Sequence, residues 1–272
     1  RQAFGRCSIR RLQDIFDGKD MLHALHWHNF FFILAVAQGE GVHEIDFTPY
    51  QVSNRSVFFL RPGQVHRLQL KMGSTGYLME FDQEFCGSKD QATAQRLRKA
   101  SGKNFCQLEA SRFDKLDGIL ANIFEEYTSK QDGYLDIIKA NLEIFCIAYN
   151  RQSPAPHQLT NNGSLYTQER FEELLELLET RISELKNVSQ YADLLNLSPY
   201  QLNAITKASV GKTIAQLIDE QIILEAKRYL LATPNQVKDI AWDLGYEDVS
   251  YFIRFFKKHT SHSPDAFRKN FR

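Results

Sequence analysis

The sequence predicts two domains: an N-terminal all-β barrel that ends in a helical hairpin, and a C-terminal all-α domain of two helix-turn-helix motifs joined by a linker helix. Three observations carry this. Apolar residues follow a strand-like pattern up to Phe81 and take a helical period beyond Gln83. Residues 151–164 (RQSPAPHQLTNNGS) hold almost no apolar side chain. Past residue 185 the chain repeats itself weakly at an offset of 49 to 50.

At 272 residues, 43% apolar and 12% aromatic, the chain is long enough for two packed cores, since domains run to roughly 100–200 residues. Lys+Arg and Asp+Glu number 33 each, so bulk charge gives no coating of nucleic acid or of an anionic membrane. The longest apolar run, Phe30 to Ala37, has eight residues, against the roughly 20 that a bilayer-spanning helix needs, so no membrane partner is expected. Residues Arg1 to Arg11 contain no hydrophobic signal-peptide core, which makes a cytoplasmic location the default. Cys7, Cys86, Cys106 and Cys146 lie far apart with no C-x-x-C pair and read as reduced structural thiols.

In the barrel (about 1–100), strands are expected at Phe30–Ala37, Val42–Phe47, Ser56–Leu60, Val65–Leu70 and Gly76–Phe81, separated by Gly39-Glu40-Gly41, Thr48-Pro49, Pro62-Gly63 and Gly73. Phe113, Leu116, Leu120, Ile123, Phe124 and Tyr127 then paint one stripe on a helix over 112–128. Leu135, Ile138, Leu142, Phe145 and Tyr149 form a heptad-like seam on the next. That seam suits either packing onto the barrel or pairing with a second copy, and a homodimer is expected. The first domain thus covers 1–150 and the linker 151–164. The second, 165–272, opens on an acidic helix over 167–184 with Thr167 as its cap.

Within the repeat, Ala192 matches Ala241, Leu202 matches Phe252, Ile205 matches Phe255 and Lys207 matches Lys257. Two short helices that meet steeply need a small side chain where their backbones approach, which the alanines provide. They also need a turn that reaches positive φ, which Gly245 and, less ideally, Asn196 provide. The second helix of each unit has an inner apolar face, Leu202 and Ile205 in one and Phe252, Phe255 and Phe256 in the other, so its outer face is free to enter a groove. Residues 214–231 form the long amphipathic helix between the units.

Glu225 to Leu231, Val237 to Tyr246, Tyr251 to Lys258 and Ser263 to Lys269, in that order, closely resemble the DNA-binding signature of the AraC/XylS family of bacterial transcription regulators. The resemblance covers about residues 165–270 and implies two helix-turn-helix motifs that insert recognition helices into successive major-groove segments. It implies double-stranded promoter or operator DNA as partner, with RNA polymerase as a second. By position, the first recognition helix would present Tyr200, Asn203, Ala204 and Lys207, and the second Ser250, Tyr251, Arg254 and Lys257. Arg254 is expected to bond guanine O6 and N7 together, and Asn203 to pair with adenine. Lys257, Lys258, Arg268 and Lys269 are expected on phosphates. Ala204 stands where the family often has Arg, and Ile205-Thr206-Lys207 replaces its usual Phe-Lys-Lys, so base reading by the first unit is expected to be weak. Ser261 replaces the usual Gly, and Ile253 is an apolar residue at an outward-leaning position.

His26 and His28 at strand spacing, with His66 from a neighbouring strand, resemble the cupin fold, whose metal-binding members place a Glu shortly after an H-x-H pair. Here Asn29, Phe30, Phe31 and Phe32 follow instead, so neither metal nor cofactor is expected. Family resemblance implies that such a domain senses a small-molecule effector, with His26, His28, Phe32 and His66 as candidate contacts and packing as the alternative. Trp27, Phe30, Phe32, Phe59 and Tyr77 are the aromatics expected near the interior.

The sequence therefore reads as a ligand-responsive DNA-binding regulator and not an enzyme. Its rival is a cupin-type metal-dependent enzyme with a helical appendage, resting on His26, His28 and His66 alone. Local charge sharpens the first reading. Residues 169–184 carry two basic against six acidic side chains, whereas 249–272 carry six basic against one acidic, so affinity should lean on the second motif and on subunit pairing.

Overall fold

The apolar run that begins at Phe30 has no polar face because the strand it forms is covered on both sides. In the computed structural model, which describes residues 6–86, 91–152 and 165–271, the chain divides into two units, Arg1–Pro156 and His157–Arg272. The first holds β1 (Cys7–Arg11), β2 (Met21–Trp27), β3 (Phe31–Gln38), β4 (Gly41–Ile45), β5 (Thr48–Val52), β6 (Ser56–Leu60), β7 (Val65–Leu70), β8 (Thr75–Phe81), α1 (Gln83–Cys86), α2 (Gln91–Ser101), β9 (Phe105–Gln107), α3 (Ala110–Ser129) and α4 (Tyr134–Gln152). The strands make two antiparallel sheets, β1-β8-β3-β6-β9 and β2-β7-β4-β5.

Side chains alternate across β3. Phe32, Leu34 and Val36 join Phe58, Leu60, Leu68 and Leu70 in a core lined by both sheets. Phe31, Ile33 and Ala35 join Phe59, Met79 and Phe81 beneath Leu116, Leu120, Ile138, Leu142, Phe145 and Tyr149 of the helical hairpin. A strand buried on both faces reads as one continuous apolar run. Phe59 and Tyr77 thus belong to the helix-covered layer, and Trp27 is 42% exposed, so of the expected interior aromatics Phe32 is the one in the core between the sheets. The seam on α4 is likewise internal: Ile138, Leu142, Phe145 and Tyr149 are buried within the same chain.

Four strands escape the simple pattern. β1, β2 and β9 are short or rich in polar residues, and β5 contains Pro49, which reads as a turn. β5 is an edge strand, where a residue without an N–H is tolerated. The actual turn is Asp46-Phe47, both at positive φ (48° and 67°), with Ile45 paired to Thr48. A two-residue hairpin loop of this kind usually carries Asn-Gly, so the pair gave no turn signal.

The second unit contains α5 (Leu165–Arg181), α6 (Val188–Leu194), α7 (Pro199–Val210), α8 (Ile214–Ala232), α9 (Val237–Asp243), α10 (Val249–Thr260) and α11 (Pro264–Phe271). Thr167 lies inside α5 rather than capping it. The expected linker falls outside the described residues from 153 onward, and Arg151 and Gln152 close α4. Ser198 and Thr213 cap α7 and α8 through reciprocal bonds with Gln201 and Gln216, and Gly211 in the left-handed conformation ends α7.

The two repeats close in the same way. The Leu197 N–H donates to the Ala192 carbonyl at 2.9 Å and the Asn196 N–H to that of Asp193 at 3.1 Å. In the second unit Tyr246 donates to Ala241 at 2.8 Å and Gly245 to Trp242 at 2.8 Å. Each turn is a Schellman motif with its left-handed residue, Asn196 or Gly245, where the repeat predicts it. Ala192 and Ala241 are fully buried.

Candidate functional site

Leu202, Ile205, Thr206 and Ser209 bury one face of α7, and Phe252 and Phe256 bury one face of α10. What remains outward is the candidate nucleic-acid surface. On α10 it carries Ser250, Tyr251, Arg254, Lys257 and Lys258, all exposed. Phe255 and Ile253 sit half-buried at its margins. The Arg254 guanidinium lies 3.8 Å from Asp248, and both side chains are well exposed, so this is a loose tether that screening and solvent make cheap to break. Asp248 caps the helix by accepting from the Ser250 N–H at 2.8 Å.

On α7 the outward face carries Tyr200, Gln201, Ala204, Lys207 and Ala208. Asn203 does not belong to it. Its side-chain oxygen accepts from the Ile214 N–H and its amide donates to the Pro199 carbonyl at 3.1 Å, so the group expected to read adenine is engaged with backbone. Arg268, expected on phosphate, instead donates to the carbonyls of Leu230 at 2.9 Å and Asn235 at 2.6 Å and fastens α11 to the end of α8. Lys269 remains exposed.

In the first unit, His26, His28 and His66 do converge. The His66 ring lies 4.4 Å from that of His26 and 4.9 Å from that of His28, and Phe32 lies 5.3 Å from His66. They do not share a strand face: β2 has an irregularity between His23 and His26, and His28 lies beyond its end. His26 is exposed, while His28 and His66 are buried.

A fourth member, His43, completes the group, its Nε2 at 2.9 Å from Nδ1 of His66. His43 alternates with the buried Ile45 on β4, a strand spacing that could have found it in the sequence. Nδ1 of His28 faces the Phe30 carbonyl at 2.9 Å and must carry the proton there, which leaves Nε2 as a bare lone pair. Burial, reinforced by the neighbouring imidazoles, holds His28 down to about 4 and His43 down to about 3, and pushes His66 down as well. Nε2 of His28, Nδ1 of His43 and Nε2 of His66 are buried without a hydrogen-bond partner. Among the described residues no three His, Cys, Asp or Glu side chains form a group that could hold a metal ion. No helix of the described residues is long and apolar enough to cross a membrane.

Two family models match the chain: an AraC-like ligand binding domain over residues 13–132 and a helix-turn-helix domain over residues 191–270. The chain belongs to the AraC/XylS family of transcription regulators. It is a DNA-binding regulator with an N-terminal ligand-binding domain. The HTH-type transcriptional activator RhaS of Pectobacterium carotovorum is 26% identical over 246 residues, covering 89% of this chain and 86% of its own. AdaA of Bacillus subtilis, a bifunctional transcriptional activator and DNA repair enzyme, is 31% identical over 96 residues, 35% of this chain and 46% of that protein. Among solved structures, ToxT of Vibrio cholerae aligns over 97% of this chain and 98% of its own with 13% identity and a TM-score of 0.45. Within the family, two positions where this chain departs from the usual residue have a structural setting. Ala204 is exposed, and Ser261 takes φ 64°, the conformation that the usual Gly adopts freely.

Proposed function

We propose that a small molecule bound in the N-terminal sandwich controls how α7 and α10 engage successive major-groove segments of an operator. The observation that carries the reading is the pair of units closed by matching turn hydrogen bonds, each leaving the outer face of its second helix exposed. Arg254 reads guanine with Ser250 and Tyr251 beside it, and Lys207, Lys257 and Lys258 take phosphates. Tyr200 and Ala204 meet the bases from α7.

The effector contacts are His28, His66 and Phe32, with His26 at the margin and His43 behind. Their support is the set of partnerless buried ring nitrogens, which the hydrogen-bonding groups of a ligand would satisfy. That role makes the histidine cluster a sensor and not the centre of an enzyme. The regulator works in the cytoplasm, where promoter DNA is, with RNA polymerase as its second partner, and the name of the RhaS relatives, transcriptional activators, supports activation. It acts as a homodimer. With the predicted seam internal, pairing falls to the opposite face of α4, where Ile137 and Ile144, one heptad apart, are 43% and 50% exposed.

Footprinting the full chain on DNA flanking its own gene tests the reading. Protection of two major-groove segments on one face of the duplex, about one helical turn of 10 base pairs apart, is expected. Protection that follows no sequence, or no protection at any concentration, would overturn it. Sedimentation of Ile144→Glu as a monomer beside a dimeric parent checks the pairing face.

A further inference from the structure

We infer that the first recognition helix, α7, reads thymine through its C5 methyl group, with Tyr200, Ala204 and Ala208 as the contacts. The inference rests on the proposed docking of α7 in a major groove and deepens it. At the offset of 50 that relates the units, Tyr200 corresponds to Ser250, Ala204 to Arg254 and Ala208 to Lys258. At these three outward positions a polar or charged side chain on α10 is thus replaced by a carbon-rich one on α7, while Lys257 keeps its lysine counterpart in Lys207. Tyr200, Ala204 and Ala208 stand at i, i+4 and i+8, which aligns them as one stripe along the helix. All three are exposed, and Tyr200 reaches 84%.

The polar side chains of α7 are engaged elsewhere. The Gln201 oxygen accepts from the Ser198 N–H in the cap at 2.9 Å. Both ends of the Asn203 amide bond backbone. Thr206 and Ser209 are buried on the inner face. Lys207, in the last turn, is suited to phosphate.

A major groove displays acceptors and amino donors on every base pair, and the thymine methyl is the apolar group among them. An apolar stripe pressed onto guanine or cytosine edges would strip water from polar groups and return no hydrogen bond. Against thymine the same stripe buries a methyl. The two motifs therefore divide the work by chemistry: α10 reads guanine by charge-assisted bonds, and α7 reads thymine by shape and dispersion.

The experiment selects binding sites for the full chain from random duplexes. Wild type is expected to select thymine in the segment one helical turn from the base at which Arg254→Ala relaxes preference. Deoxyuridine, which removes the methyl and alters nothing else at the groove edge, is then placed at each of those thymines in turn. Each contacted methyl is expected to weaken binding about fourfold when lost. Tyr200→Ala and Ala204→Gly should each become insensitive at one thymine, and Ala204→Arg should shift the selected base there towards guanine. Guanine selected in this segment by wild type, or deoxyuridine effects below about twofold throughout while specific binding persists, would overturn the inference and leave the regulator reading standing. Failure to select any sequence would overturn both.

Discussion

The backbone N–H of Ile214 donates to the side-chain oxygen of Asn203 at 3.2 Å, so a residue on the recognition helix α7 helps to satisfy the open N-terminus of α8. Asn203→Ala is therefore expected to reduce unfolding free energy by about 1 kcal/mol and to weaken binding to all DNA sequences alike. Asn203→Asp retains the acceptor and should hold most of the stability. Urea denaturation of both variants, with site selection on each, decides the matter. A change of preference at one base with stability untouched would return Asn203 to the reading face.

Arg254 and Lys258 share α10 and should separate cleanly. Arg254→Ala is expected to cost about 1–3 kcal/mol on the best operator and to relax preference at one guanine. Its ion pair with Asp248 is exposed, so the fold should not feel the change. Lys258→Ala should weaken specific and random duplexes by the same factor and lower the salt slope of log affinity by about 1. Gel shifts at several salt concentrations on matched and scrambled operators measure both. Equal behaviour of the two variants would show that α10 does not divide reading from anchoring.

How much of this was legible follows from which residues act locally. The repeat, its alanines and its left-handed turn residues can be read directly, because turn chemistry and close approach are set by nearby sequence. Position along the chain points Asn203 and Arg268 at DNA, whereas the structure engages them with backbone, because their partners, Ile214 and the carbonyls of Leu230 and Asn235, depend on how helices pack. On the β side, Ser56–Leu60 and Val65–Leu70 match their strands residue for residue. β5 did not, because Pro49 signals a turn unless its edge position is known. The histidines are visible singly, and alternation with Ile45 marks His43 as inward-facing, but its place beside His66 depends on the register that sets Ile45 opposite His66.

Gly245 and Ser261 occupy the same backbone conformation with opposite fitness. Gly245 takes φ 75°, and a Cβ there would lie 1.9 Å from the Ser183 carbonyl oxygen, so both conformation and space demand glycine. Gly245→Ala is expected to lower stability by more than the roughly 1–2 kcal/mol that the left-handed conformation alone costs. Ser261 accepts that cost at φ 64° after α10. Ser261→Gly should then stabilise by about 0.5–1 kcal/mol, the relief being offset in part by the freer unfolded chain. Thermal unfolding of the full chain should show a small rise for Ser261→Gly and a clear fall for Gly245→Ala. Equal falls would mean that Ser261 gains something from its side chain.

Acidification should loosen the N-terminal unit through its buried histidines. In the unfolded chain histidines take up protons near pH 6.5. In the fold His28 waits until about pH 4 and His43 until about 3, because burial and mutual repulsion keep the imidazoles neutral. Between those values the unfolded state binds more protons, so the stability is whole above pH 6.5 and drains as the pH falls towards 4. Each such histidine contributes a slope of up to about 1.4 kcal/mol per pH unit. Trp27 and Trp242 are the two tryptophans of the chain, so a Trp242→Phe background lets Trp27 report on the first unit alone. Urea unfolding of that variant at pH 7.5, 6.5 and 5.5 should show little change over the first step and a marked fall over the second. Replacing His43 and His66 together, which removes both partners of their mutual hydrogen bond, should flatten the second step. A fall of unchanged size in that double variant would assign the acid sensitivity to groups outside the cluster.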